Sequence, residues 1–118
     1  MSGSKQQSQI SSAQLKVRQL AFSVSGTATT PVASGLDAFQ VSSVVDNGTG
    51  DYTLILANSF GLDPQVLGIV PTSAGVYRFE VTAKDIDRVT VEFFNAAGAA
   101  VDADFDIALA GTDMDYTM

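Results

Sequence analysis

The chain has 118 residues, 46% of them hydrophobic and 16% charged, and contains neither cysteine nor histidine. This size and lean charge describe one folded domain. The missing residue types exclude disulfides, thiolate ligands, and the commonest general base and transition-metal ligand. The net charge is −7, with all thirteen acids from Asp37 onward and only Arg78, Lys84 and Arg88 among them. Such a body repels phosphate backbones and argues against nucleic acid as a partner.

Residues 1–14 are rich in Ser and Gln, with Ile10 as the single branched aliphatic. This extended polar arm cannot bury enough surface to offset its ordering entropy. The arm and the residues just after it carry Lys5, Lys16 and Arg18, the only charges before Asp37. Ile10 and these three cations are candidate contacts to an acidic protein surface, such as the body of a neighbouring copy. The beginning of the chain lacks the apolar centre of a signal peptide. No stretch reaches the roughly 20 apolar residues that cross a bilayer, so no membrane partner is expected. The expectation is a protein made in the cytoplasm.

Residues 15–118 read as a β domain. Leu20, Phe22 and Val24 alternate with small or polar residues, the period-2 pattern of a half-buried strand. Gly26 and Pro31 punctuate the loop that follows. Phe39–Val45 and Tyr52–Leu56 flank Asp46-Asn-Gly-Thr-Gly-Asp51, which predicts a hairpin because Asn and Gly accept positive φ at little cost. Asn58–Pro64 is expected to be a loop or short helical turn, and Val66–Val70 a fourth strand. Val76–Thr82 and Arg88–Phe94 alternate again. Asn95-Ala-Ala-Gly98 predicts a tight turn, and Asp104–Ala110 the last strand. About seven strands at spacings near ten residues, with no sustained helical stripe, predict an all-β antiparallel sandwich or barrel. Phe22, Phe39, Phe79 and Phe105 are its expected core aromatics. Phe93 and Phe94 are adjacent and point to opposite faces of a strand. One of the two is therefore expected under a loop or at an interface, which makes the pair a candidate partner contact.

Chemistry has few candidates. Asp46 and Asp51 offer oxygen ligands around two glycines, but the loop lacks the bidentate Glu and the Asp spacing of a calcium-binding EF-hand. Asp102, Asp104 and Asp106 alternate, which on a strand puts three carboxylates on one side. A cation or a basic partner would relieve their repulsion, but a solvated outer face on an edge strand is the simpler explanation. Paired carboxylates can hydrolyse glycosides, but the chain has no Trp to hold sugar and only Lys or a carboxylate as a base to activate its many hydroxyls. The composition predicts a protein that is not an enzyme and uses no cofactor.

Two stretches carry a resemblance, Val44-Val-Asp-Asn-Gly-Thr-Gly-Asp-Tyr-Thr-Leu54 and Val91-Glu-Phe-Phe-Asn-Ala-Ala-Gly-Ala-Ala-Val-Asp-Ala-Asp-Phe-Asp106, together with the closing strand ending at Gly111. Over roughly residues 37–111 the chain resembles small virion structural proteins of tailed bacteriophages. The resemblance implies a β domain without catalytic residues that assembles symmetrically, often as a trimer, on a capsid or tail. The leading expectation is a capsid decoration or cement protein of the virion, bound to the major capsid protein or another virion protein and bracing neighbouring subunits through its arm. The alternatives are a tail or head-fibre component that contacts the host, and a carbohydrate- or calcium-binding module.

Overall fold

A computed structural model describes residues 14–115, with side chains from Lys16 to Asp113. Eight strands are present: β1 (Gln14–Ser25), β2 (Ala33–Ser34), β3 (Val41–Gly48), β4 (Asp51–Leu56), β5 (Gln65–Pro71), β6 (Arg78–Asp85), β7 (Arg88–Phe94) and β8 (Asp104–Asp115). They form two four-stranded antiparallel sheets, ordered β2-β1-β8-β5 and β3-β4-β7-β6. The architecture is a sandwich, and the strand beyond the seven expected is the two-residue β2. β1 begins at Gln14, the last residue of the polar segment, so residues 1–13 lie outside the described part of the chain.

The alternation read from the sequence sets which face each residue occupies. Leu20, Phe22 and Val24 of β1 and Phe105, Ile107 and Leu109 of β8 point inward from the first sheet. Tyr52, Leu54 and Leu56 of β4 and Val89, Val91 and Phe93 of β7 point inward from the second. All twelve are buried. Across the gap the rings of Phe93 and Phe105 meet at a 40° tilt with centroids 4.6 Å apart, and Tyr52 lies 5.9 Å from Phe105 and 6.1 Å from Phe93. Each such ring contributes roughly 1.5–3 kcal/mol by leaving water, and the offset contacts add to that.

A small polar lock closes one end of this aromatic core. The Tyr52 hydroxyl lies 2.8 Å from the Gly26 carbonyl and 3.1 Å from Asp102 Oδ1, and it accepts the Ala103 amide at 3.3 Å. Asp102 Oδ1 also accepts the Gly50 amide at 2.8 Å. Burial, with the Asp102 carboxylate beside it, pushes the Tyr52 phenol well above its ordinary value, so it remains a donor. Two glycines make the lock possible. A Cβ at Gly26 would collide with the Ala103 carbonyl and the Tyr52 ring, and Gly50 has φ +69° with the Val101 carbonyl 2.5 Å from where a Cβ would stand.

The hairpin between β3 and β4 is where the sequence placed it. Its apex is Thr49-Gly50, because Asn47 is bulged out of register and its amide nitrogen donates to Asp51 and Thr53. The Asn95–Gly98 turn also forms, with Asn95 Oδ1 accepting the Ala97 and Ala99 amides and Gly98 at φ +84°.

Two core expectations are corrected. Phe39 is 79% exposed. A 3-10 turn over Ala38–Gln40, closed by the Gln40 amide on the Asp37 carbonyl, replaces the start of the expected strand and turns the ring outward. Phe79 sits on the inner row of β6 opposite Phe93 but is 39% exposed, because β6 is an edge strand and the sandwich is open beside it. The aromatic that does fill the far end of the core is Phe60, from the loop after β4, packed where a side chain on Gly111 would otherwise go.

Replacing Tyr52 with Phe removes the hydroxyl and leaves the Ala103 amide without its acceptor inside the fold. The Y52F variant is expected to lose about 1–3 kcal/mol of stability in chemical denaturation with its strand content unchanged. A variant as stable as the parent would mean that the lock contributes nothing.

Candidate interaction surfaces

The residues singled out in the sequence scatter over the domain. Lys5 and Ile10 lie outside the described residues. Lys16 is exposed on β1. Arg18 is engaged inside the fold. Its guanidinium pairs with Asp113 at 3.0 Å, donates to Gln40 Oε1 and to the carbonyls of Asn58 and Ser59, and lies 4.2 Å above the Phe60 ring. The planar fork suits this many acceptors at once, so Arg18 latches the loop carrying Phe60 onto β1 and β8. With its donors used in this way, it is not a free contact for an outside partner.

Phe93 and Phe94 do point to opposite faces. Phe93 is fully buried, which withdraws it from any partner. Phe94 is half-buried on the outer face of the second sheet, under the Arg78 guanidinium 4.0 Å from its ring, and Arg78 is itself paired with Glu80. The pair therefore resolves into one core residue and one surface residue covered from within the chain.

The carboxylates are likewise committed. β8 begins only at Asp104, so Asp102 lies in the preceding loop and serves the Tyr52 lock, and the expected three-carboxylate strand face is not formed. Asp104 accepts the Thr27 amide and hydroxyl at 3.0 and 2.8 Å, and Asp106 accepts the Ser23 hydroxyl at 2.6 Å. These two outward carboxylates tie β1 and its following loop to β8. Asp46 accepts the Gly48 amide within the hairpin, and Asp51 accepts from Asn47. No group of three or more acids, histidines or cysteines arranged to hold a metal ion occurs among the described residues.

A closer acidic contact was not visible in the sequence. The register places Asp51 beside Glu92, and Glu92 beside Glu80, in one row across β4, β7 and β6. The hydrogen bond between Glu92 and Asp51, followed by desolvation and the neighbouring charges, holds the Glu92 carboxyl above its usual range. Carboxylates 41 positions apart in the chain meet only once the strands pair, and no local pattern reveals that.

The sheet edges and the sheet faces differ in kind. β2 is two residues long. β3 is irregular at both ends, between Val41 and Ser43 and between Asp46 and Gly48. β5 is irregular at Leu67 and ends on Pro71. β6 is irregular between Val81 and Ala83, with Lys84 on its inner row opposite Val89. Each is a recognised obstacle to pairing with a further strand. The faces are accessible by contrast, and on the outside of the first sheet Leu36, Leu67 and Val70 flank a shallow depression of about 410 Å³ whose lining includes Ala21, Gly68 and Ala108.

No family model, no curated protein and no solved structure matches the chain.

The Asp51–Glu92 pair gives a pH dependence with a definite sign. A carboxyl whose pKa is raised on folding binds its proton more tightly in the folded state, so the pair destabilises the fold when both groups are ionised. That penalty is relieved as pH falls through the Glu92 titration. Glu92→Gln is expected to raise the melting temperature at pH 7, with the gap to the parent closing as pH falls into the carboxylate range. A gap that stays constant with pH would contradict the assignment.

Proposed function

We propose that this chain is a non-catalytic structural domain of a virion surface, a decoration or cement protein that assembles in multiple copies and braces the subunits of a protein lattice. The reading rests on the resemblance to tailed-phage virion proteins, and one observation carries it furthest. The two resembling stretches, 44–54 and 91–106, are a single structural unit. Gly50 packs against the Val101 and Phe93 carbonyls, and Asp102 binds both Gly50 and Tyr52. The residues that carry the resemblance are therefore among those that hold this sandwich together.

Other features agree with this role. The potentially reactive carboxylates Asp102, Asp104 and Asp106 serve structural hydrogen bonds. A lattice component must also bind its neighbours without running into open-ended strand addition, and blunted edges with accessible faces meet both needs. The segment holding Lys5 carries no acid and could pair with an acidic neighbour.

Antibody raised against the purified domain is expected to label the heads of tailed particles from a lysate in which the gene is expressed. A chain lacking residues 1–13 should fold as the parent does but occupy fewer sites on the particle. Label confined to tails would transfer the domain to a fibre role, and particles without label would overturn the virion reading.

A further inference from the structure

The outer face of the first sheet differs from the rest of the surface in charge. Outward positions on β1 are Val17, Gln19, Ala21 and Ser23, and their β8 partners are Thr112, Ala110, Ala108 and Asp106. On β5 the row continues with Gln65, Gly68 and Val70, plus the bulged Leu67. Asp106 is the only charged residue in this set and is bound to Ser23, and the next outward residue of β8, Asp104 opposite Ser25, is bound to the Thr27 amide and hydroxyl. At the rim Asp37 turns into the edge of β1 and accepts the Ala21 amide at 2.7 Å. The opposite outer face, on the second sheet, carries Asp51, Glu80, Glu92, Arg78 and Arg88.

This face, whose carboxylates are both hydrogen-bonded, is also apolar and shaped. Val17 is 71%, Leu36 79%, Leu67 58% and Val70 61% exposed. Leu36 stands on one side of a floor made by Ala21, Ala108 and Gly68, and Leu67 and Val70 stand on the other. Apolar ridges beside a floor of small residues complement a copy of themselves, since a ridge of one face fits the floor of the other when two sheets pack about 10 Å apart.

The geometry points to a second copy of this chain as the occupant of the β1-β8-β5 outer face, in a symmetric face-to-face pair. Charge selects that occupant. A partner chosen for opposite charge would be met by the charged faces, whereas two chains of net charge −7 approach most easily where neither presents an unsatisfied carboxylate. Area agrees. The face measures roughly 20 by 25 Å from strand spacing and rise, so two faces together cover on the order of 1,000 Å², the lower limit for specific association. Residue i of one face meets residue j of the other and the reverse, which closes the assembly at two copies. This inference goes beyond the lattice reading and stands without it, because the pair forms with no particle present.

Sedimentation equilibrium of the full chain tests it. The weight-average mass is expected to rise with concentration from 12.3 kDa toward twice that value. Ala21→Arg and Ala108→Arg, which place a charge on the floor of the face, should each hold the mass at the monomer with the circular dichroism unchanged. Leu36→Asp, at an exposed loop position, should do the same and serves if either arginine variant fails to fold. Ser43→Arg, with the same charge change on the outer face of the second sheet, should associate as the parent does. A chain that stays monomeric at hundreds of micromolar, a limiting mass of three copies, or association that persists in folded A21R, A108R and L36D would each overturn the proposal.

Discussion

The structure depends on how two sheets with few charges and no covalent links are held face to face. The contact that does this is the Tyr52–Phe93–Phe105 cluster with its polar end at Gly26, Asp102, Ala103 and Gly50. Apolar packing supplies most of the attraction but is non-directional and would tolerate sliding. The hydroxyl of Tyr52 adds direction. It belongs to the second sheet, yet its partners are the residue after β1 and the residues leading into β8, so one side chain fixes the relative position of three strands. The lock needs close backbone approach, which is why Gly26 and Gly50 stand where any Cβ would collide.

The far end of the sandwich is held by different means. There Phe60 enters from a loop, Gly111 makes room for it, and Arg18 spans β1, β8 and the loop with hydrogen bonds and a ring contact. The cation is stable in this half-buried position because Asp113 neutralises it and carbonyls take up its remaining donors. With both ends closed from within, the faces are what the domain leaves accessible. The edge strands are short, bulged or carry Pro or Lys, and the face left apolar and nearly uncharged is the outside of β1-β8-β5.

The fold class was legible because strand alternation is a strong local signal. Leu20, Phe22 and Val24, and Val89, Val91 and Phe93, fell on the inner rows as their spacing requires. Glycine and Asn placed the hairpin and the Asn95–Gly98 turn. Phe39 was misjudged, and Phe60 was not singled out, for related reasons. Phe39 continues an apparent strand pattern, but a 3-10 turn costs little at that point and redirects its ring. Phe60 sits in a loop without periodicity, and its burial depends on Gly111 51 residues away. The candidate contacts fared differently, since Arg18, Phe93 and Asp102 are recruited by tertiary partners that no local window contains. Which face carries the fewest charges also emerged only after register assigned each residue a side.

The central claim is that the Tyr52–Asp102 lock is part of the cooperative core. Native-state hydrogen exchange at the Gly50 and Ala103 amides tests it most directly, because both sit in loops that would otherwise exchange fast yet are held by Asp102 and Tyr52. Both amides should exchange only through global opening, with the same free energy and denaturant dependence as core amides of β8 such as Leu109. Exchange of these two amides at loop rates, while the β8 amides remain protected, would contradict the account.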